Sequence, residues 1–452
     1  MDMMTVEELL AQFEKFNITF AFAARTSEED GELIVSHREL DSLRELILQS
    51  PDFANHEAVF VGRDARFKTL FFAFVHNTTR GLSQGGLRVM EYPTASAVLN
   101  DGLRLSQGMS RKNAVSDLWW GGGKGIIPVT GELIEKTFDG DHKMRNRSQR
   151  DALFGAYGEF VAKLGGVYYT AADIGTTNRD MQAILAANRF VTSLPPHLGG
   201  SGDPSSHTAE GVFQAIKTAR KHLTGNSDLS EIFVAVQGAG KVGQPLIEKL
   251  LSANAKVFAS EAGFETDKAM LKNFQDKFPT VRIVPCGGGH ENDILAMDAD
   301  IIAPCAVGGV INNRTIPLLK PSVKIICGGA NNILGNEISD GESLYQKGIV
   351  FIPDFVCNWM GIVNSANEAF GYLEEDVLIA LERLPETVSA VLDKAKSKNI
   401  SHTTAAHLIA DEKLKEMPPD ALRQNRGRRI IARLIGNHQL SSAAEPDAAK
   451  VA

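Results

Sequence analysis

Residues 232–251 constrain the fold more than any other stretch. Ile232-Phe233-Val234-Ala235-Val236-Gln237 is a continuous apolar run, the composition of a strand covered on both faces in a parallel sheet. It leads directly into Gly238-Ala239-Gly240-Lys241-Val242-Gly243 and then into helical sequence from Pro245 to Leu251. Strand, G-x-G-x-x-G and helix in that order predict the phosphate-binding corner of a dinucleotide-binding α/β unit. Gly238 makes the tight turn, Gly240 leaves room for a pyrophosphate at the helix N-terminus, and Gly243 lets helix and strand pack closely. A second strand, Lys256 to Ser260, ends at Glu261, the distance at which an acid takes the adenosine ribose hydroxyls. No Arg or Lys follows over residues 262–267 to neutralise a 2'-phosphate, so NAD is expected rather than NADP. A nucleoside-triphosphate loop is excluded, because Val242 follows Lys241 and Ala235 stands where the first glycine of that pattern belongs.

Two later strands, Ile301-Ile302 and Val323 to Ile326, run into Ala303-Pro304-Cys305-Ala306 and Cys327-Gly328-Gly329-Ala330-Asn331-Asn332. Ligands of open parallel sheets lie beyond the carboxyl ends of the strands, which makes both turns candidate cofactor contacts. An asparagine pair after glycine is also a routine turn.

In the N-terminal half, Trp119-Trp120-Gly121-Gly122-Gly123-Lys124-Gly125 sets a lysine in a glycine turn beside the apolar run Ile126 to Val129. A lysine held there loses hydration, which moves its pKa down from about 10.4 toward the range a base needs. A turn whose lysine points into water fits the same residues. Further on, Val167 to Ala172 delivers Asp173 into a turn at Gly175. A strand presents a side chain to a cleft in this way, and an Asx turn or helix cap begins in the same way.

The 452 residues, 43% hydrophobic and 23% charged, have room for two or three domains. The sequence divides into a helical extension (1–55), a substrate domain (56–200), a dinucleotide-binding domain (201–370), a helical segment (371–439) and a disordered tail (440–452). Helices are predicted over 1–16, 36–49, 95–109 (with Lys112 just beyond) and 150–164, and strands over 58–74 followed by a turn at 77–86. Residues 139–150 read as a surface connection, and the Gly, Ser and Pro cluster at 198–206 as a hinge. The net charge of -8 argues against nucleic acid or an anionic membrane surface as partner. No apolar run reaches the ~18 residues of a membrane span, and the acidic N-terminus is not a signal peptide. Four cysteines without a C-x-x-C pair imply neither zinc nor a disulfide framework, and a cytoplasmic setting. The basic run 423–433 reads as a solvated helix face or a subunit contact.

From about Val59 to Leu414 these pieces resemble, in colinear order, the glutamate, leucine, phenylalanine and valine dehydrogenases, the leucine/phenylalanine branch most closely. The motifs are Gly85-Gly86-Leu87-Arg88, Gly108-Met109-Ser110-Arg111-Lys112-Asn113, Gly121 to Lys124, Ala172 to Thr176, the unit at Gly238, Ala303 to Ala306, Gly329 to Asn332 and Pro353-Asp354-Phe355-Val356. The resemblance implies an N-terminal α/β substrate domain and a Rossmann-type doubly wound domain, with C-terminal helices packing back toward the first. It also implies a homo-oligomer that reversibly deaminates an L-amino acid to its 2-oxo acid and ammonia with NAD. Carried over, Lys112 takes the substrate carboxylate beside the backbone of Gly85 and Gly86. Lys124 activates water, Asp173 exchanges protons with the amino group, and Thr208, Asn331 and Asn332 lie near the nicotinamide or substrate. The domains close about segments near 195–207 and 365.

The side-chain wall by the same resemblance is Gln84, Ala171, Ile362 and Ser365. Relatives that take leucine carry apolar residues at positions 84 and 365, and the glutamate enzymes carry lysine and serine. Here an aliphatic substrate is expected to face unpaired polar atoms at about 1–3 kcal/mol each, with no cation for a γ-carboxylate. A leucine, valine or phenylalanine-type substrate is expected. A glutamate-type or other polar substrate, and a non-catalytic dinucleotide-binding homologue, are the alternatives. Trp359 and Met360, where the relatives have small residues, are expected to alter the pocket.

Overall fold

The computed structural model describes residues 4–26, 31–131, 133 and 147–444. They separate into two units, one formed by Met1–Gly202 with Glu368–Tyr372 and Leu414–Ala452, the other by Asp203–Asn367 with Leu373–Lys413. Among the described residues no helix is long and apolar enough to cross a membrane, and no group of three or more His, Cys, Asp or Glu side chains is placed to hold a metal ion.

The first unit is built on seven strands: β1 (Phe20–Arg25), β2 (Leu33–Val35), β3 (Ala58–Asp64), β4 (Thr69–Asn77), β5 (Ser83–Met90), β6 (Gly121–Pro128) and β7 (Tyr168–Ala172). Their order is β2-β1-β3-β4-β6-β5-β7. β6 runs antiparallel to β4 and parallel to β5, which is parallel to β7. Side chains of a strand alternate between faces. Val59, Val61, Phe72, Phe74 and Ile126 therefore meet one core, shared with α1 (Val6–Lys15), α2 (Asp41–Leu48) and α3 (Ala95–Val115). Phe60, Phe71, Ala73, Val75 and Ile127 meet the other, shared with α4 (Arg147–Lys163) and α5 (Asn178–Leu185).

Several expectations are corrected here. Residues 1–55 are not a helical appendage, because β1 and β2 join the central sheet and Leu9, Phe13, Leu43 and Ile47 are core residues. The turn expected at 77–86 gives way to β5 from Ser83, and α3 continues to Val115, so Lys112 lies on its last turn. The glycine run around Lys124 is no turn but the buried strand β6. Its glycines answer crowding: a Cβ on Gly122 would lie 2.2 Å from the Ser106 carbonyl oxygen of α3, and one on Gly125 2.2 Å from the Tyr157 hydroxyl. The basic run 423–433 is partly docked, since Arg428 Nε lies 3.0 Å from Glu57 Oε1, Ile431 is buried, and a Cβ on Gly427 would meet Thr78. The helix Arg426–Ala444 extends into the expected tail. Residues 445–452, and the expected surface connection as far as 146, lie outside the described residues.

The second unit is a six-stranded parallel sheet, β8 (Phe233–Gln237), β9 (Lys256–Ser260), β10 (Arg282–Ile283), β11 (Ile301–Pro304), β12 (Ile325–Ile326) and β13 (Val350–Phe351). The order β10-β9-β8-β11-β12-β13 is that of a doubly wound dinucleotide fold, reversing direction beside β8. Helix α6 (Ser205–Thr224) precedes β8 and α7 (Gly243–Ser252) follows it. The segment expected as one piece from 371 divides: Glu374–Lys398 and His402–Lys413 belong to this unit, and the chain from Leu414 to the first.

Candidate active site

In the first unit the strand pleat assembles the site. Register pairs Gln84 with Gly122 and Tyr169, Gly86 with Ala171, and Arg88 with Ile126. By the period of two, Gln84, Gly86, Arg88, Lys124, Ala171 and Asp173 share one face, the face on which α3 packs. A Cβ on Gly85 would fall 1.7 Å from the Gly123 carbonyl oxygen, and one on Gly86 2.6 Å from Asp173 Cβ. Gly85 leaves no room for a side chain, and at Gly86 a Cβ would displace Asp173. Lys112 stands half-buried on α3, the helix that packs on β6 through Ser106, Ser110 and Gly122. Asp173 is not the cap of α5, a task performed by the Thr177 hydroxyl.

Lys124 is buried, and its Nζ donates to Asp173 Oδ2. The same oxygen accepts from Arg88 Nε at 3.2 Å, while Arg88 Nη1 reaches Asp101 Oδ2 at 2.9 Å. Tyr92 Oη donates to that Asp101 oxygen at 2.8 Å, and Arg104 Nη2 lies 3.0 Å from Asp101 Oδ1. Positive and negative groups thus alternate from Lys124 to Arg104. Burial pushes the Lys124 ammonium below its ordinary pKa; Asp173 opposes the shift and Arg88 adds to it. Burial would raise the Asp173 carboxyl, but Lys124 and Arg88 outweigh it and hold the group down to about 2. The two directions agree physically, since two cations share one carboxylate.

Arg88, Asp101 and Tyr92 were not singled out from the sequence. Arg88 stood inside the Gly85 to Arg88 motif, and its signal was the alternation that puts residue 88 on the face of Gly86. Asp101 and Tyr92 had no comparable mark. Gln84 Nε2 donates to Asn113 Oδ1 at 3.1 Å, and Asn113 Nδ2 donates to the Gly121 carbonyl at 2.7 Å. One end of the Gln84 amide is thus engaged with α3.

In the second unit the glycine loop joins β8 to α7. Gly238 has φ +93°, a Cβ on Gly240 would meet nothing within 4 Å, and one on Gly243 would lie 1.9 Å from the Gly238 carbonyl oxygen. Val242 precedes the first turn of α7 and Lys241 reaches Asp203 at 3.1 Å on the surface. Glu261 Oε2 accepts from the Ala239 backbone N–H at 2.9 Å, which places the acid beside the loop. Among the described residues, the buried Gln237 Oε1 and Ser260 Oγ at the ends of β8 and β9 have no hydrogen-bond partner. Open space, orphaned polar atoms and an acid at one strand end suit a bound dinucleotide.

Ala303 and Pro304 end β11, and Cys305 Sγ accepts from the Gly329 N–H at 3.5 Å. Burial pushes the Cys305 thiol up to about 12, which leaves it unreactive. Asn332, at φ +52°, donates its N–H to Asp354 Oδ2 at 2.9 Å, and Asn331 Oδ1 accepts from Asn358 at 2.9 Å. Thr208 Oγ1 donates to the Pro204 carbonyl at 3.0 Å and lies against Gly361. On Met360–Ala366, Ser365 Oγ donates to the Ile362 carbonyl at 3.3 Å, so this hydroxyl too has a partner. Trp359 is fully buried and Met360 packs toward Gly211 of α6.

Residues 199–419 match the family model Glutamate/Leucine/Phenylalanine/Valine dehydrogenase, and residues 67–189 match Glu/Leu/Phe/Val dehydrogenase, dimerisation domain. The chain is 35% identical over 363 residues to leucine dehydrogenase of Geobacillus stearothermophilus, covering 80% of this chain and 92% of that one. It is 35% identical over 354 residues to phenylalanine dehydrogenase of Lysinibacillus sphaericus, covering 78% and 87%. The crystal structure of L-tryptophan dehydrogenase from Nostoc punctiforme superimposes with a TM-score of 0.65 at 30% identity, covering 86% of this chain and 99% of that one.

Proposed function

The chain belongs to the Glu/Leu/Phe/Val dehydrogenase family, and on that premise we propose that it reversibly deaminates an apolar L-amino acid to its 2-oxo acid and ammonia, with NAD. The observation that carries the reading is Lys124 buried against Asp173, with Arg88 on the far side of the same carboxylate. A carboxyl held near pKa 2 cannot keep a proton at neutral pH. Ionised Asp173 therefore exchanges protons with the substrate's amino group, while neutral Lys124, whose depressed pKa suits it to the task, takes a proton from the water that attacks the imine. Lys112 takes the substrate carboxylate beside the backbone of Gly85 and Gly86.

The loop from Gly238 to Gly243 and Glu261 hold the dinucleotide, and Thr208, Asn331 and the turn Ala303 to Cys305 border it. When bound, the nicotinamide supplies the hydride acceptor. Glu261 and the lack of a nearby cation over residues 262–267 favour NAD over NADP. An apolar substrate is supported by the engagement of Gln84 with Asn113 and of the Ser365 hydroxyl with Ile362. The match of residues 67–189 to a dimerisation-domain model supports a homo-oligomer.

The test incubates purified protein with NAD and each common L-amino acid and follows absorbance of the reduced cofactor. Turnover of leucine, valine or an aromatic amino acid, abolished by Lys124→Ala, is expected. Intact NAD binding without turnover across the panel would replace this reading with a regulatory one.

A further inference from the structure

The first unit contains a cavity of about 670 Å3 that shares no lining residue with the group around Lys124. Its walls come from the end of β1, the segment before β3, the end of β4, and the helix Arg426–Ala444 with the chain leading to it. Arg25, Lys415, Arg428 and Arg429 all line it, against one carboxylate, Glu57, among the described lining residues. That carboxylate is already engaged, accepting from the Thr78 N–H at 2.8 Å, the Thr78 hydroxyl at 2.6 Å and Arg428 Nε at 3.0 Å. Arg429 donates to the carbonyls of Leu422 and Gln424 at 3.0 and 3.2 Å, bonds that leave its charge uncompensated. In a chain of net charge -8, a half-open pocket with four cations and one engaged carboxylate among its described lining residues presents a locally positive surface. Asn425, a further lining residue, has a buried Oδ1 with no hydrogen-bond partner among the described residues. This acceptor calls for a donor on whatever fills the cavity.

We propose that the cavity binds a small multivalent anion, a polycarboxylate or a phosphate ester, that also carries a hydroxyl or amino group. The volume lies within the range of small-molecule sites, the guanidinium groups match carboxylate and phosphate oxygens, and the Asn425 amide oxygen accepts the ligand's donor.

Isothermal titration calorimetry on the full-length protein, with citrate, tricarballylate and pyrophosphate as probes, tests this. Citrate and tricarballylate differ by one hydroxyl. The expected result is one site per chain, weakened by salt, with citrate bound several-fold more tightly than tricarballylate. Arg25→Ala with Arg429→Gln weakens binding about tenfold or more, and Lys415→Met serves if that pair lowers the melting temperature. Asn425→Gly, which tolerates the φ of +53°, removes the preference for citrate. Tighter binding of pyrophosphate than of citrate assigns the site to phosphate esters, and the reverse to polycarboxylates.

Lys112→Ala leaves the affinity within about twofold; loss of binding in that variant would place the anion in the substrate site and overturn the proposal. Absence of binding at millimolar concentration, or indifference to the arginine variants, would overturn it as well. Equal affinity for citrate and tricarballylate would remove the role given to Asn425.

Discussion

Replacing Asp173 by asparagine keeps the side chain's shape and removes the charge that Lys124 and Arg88 share. The carboxyl is held at about 2 against an ordinary 3.8. That difference of ~1.8 units corresponds to about 2.5 kcal/mol of net preference for the ionised form. Uncompensating a buried charge set costs about 3–5 kcal/mol, and Arg88 retains Asp101 at 2.9 Å, so a loss of about 3 kcal/mol at pH 7 is expected. The sign of the pH dependence follows from the depressed folded-state pKa. The contribution is fully present above pH 3.8 and is lost as pH falls toward 2, so the gap between wild type and variant narrows only in that window. Turnover falls at least ~100-fold, because the group that exchanges protons with the substrate's amino group is lost. Urea unfolding from pH 7 downward, with initial rates on the best amino acid, measures both effects. A stability gap below about 1 kcal/mol at pH 7, or turnover within about threefold of wild type, would refute the reasoning.

Gly86→Ala places a Cβ 2.6 Å from Asp173 Cβ and 3.0 Å from the Ala172 carbonyl; turnover falls ~10–100-fold with the fold retained by circular dichroism. The glycine loop separates two roles in one motif. Gly240→Ala enters open space and changes stability by less than about 1 kcal/mol while weakening dinucleotide binding at least ~10-fold, whereas Gly243→Ala, with its Cβ 1.9 Å from a carbonyl oxygen, costs about 3 kcal/mol or more. Arg88→Met removes a cation that lowers the Lys124 pKa and leaves Asp173 to Lys124 alone, so the rising limb of the pH–rate profile moves to higher pH while staying below the free lysine value of 10.5. Gln84→Leu strands Asn113 Oδ1 and costs about 1–3 kcal/mol of stability, with the KM for apolar amino acids changed by less than about threefold.

The dinucleotide corner was legible in the sequence because its determinants are local. A strand, three glycines at fixed spacing and a helix specify one another within about twenty residues, and a Cβ on Gly238 or Gly243 would fall within 3 Å of its neighbours. The first unit was less legible because its determinants are distant. Residues 1–55 contain only short apolar runs, and Phe20–Arg25 becomes a strand because β3 offers it an antiparallel edge from Ala58 to Gly62. The glycines on either side of Lys124 look like a turn in isolation. They form a strand because Ser106, Ser110, Tyr157 and Tyr168, from three separate elements, press on them where no side chain would fit. The engagement of Gln84 was hidden for the same reason, since its partner Asn113 lies 29 residues away.

Arg88 explains how one face can hold two opposed requirements. In the proposed mechanism Lys124 acts as a base and has to lose its proton easily, yet a carboxylate in contact with a lysine ordinarily raises its pKa. Had Asp173 faced Lys124 alone, the pair would have settled as a closed ion pair with the lysine charged. Arg88, always protonated, competes for the same Oδ2 at 3.2 Å and opposes a second positive charge nearby. Asp101, anchored by Tyr92 and Arg104, holds Arg88 in that position and compensates its charge. The carboxylate can then stay ionised while the lysine pKa stays below its ordinary value, which is the division of labour that the proposed mechanism asks of the pair.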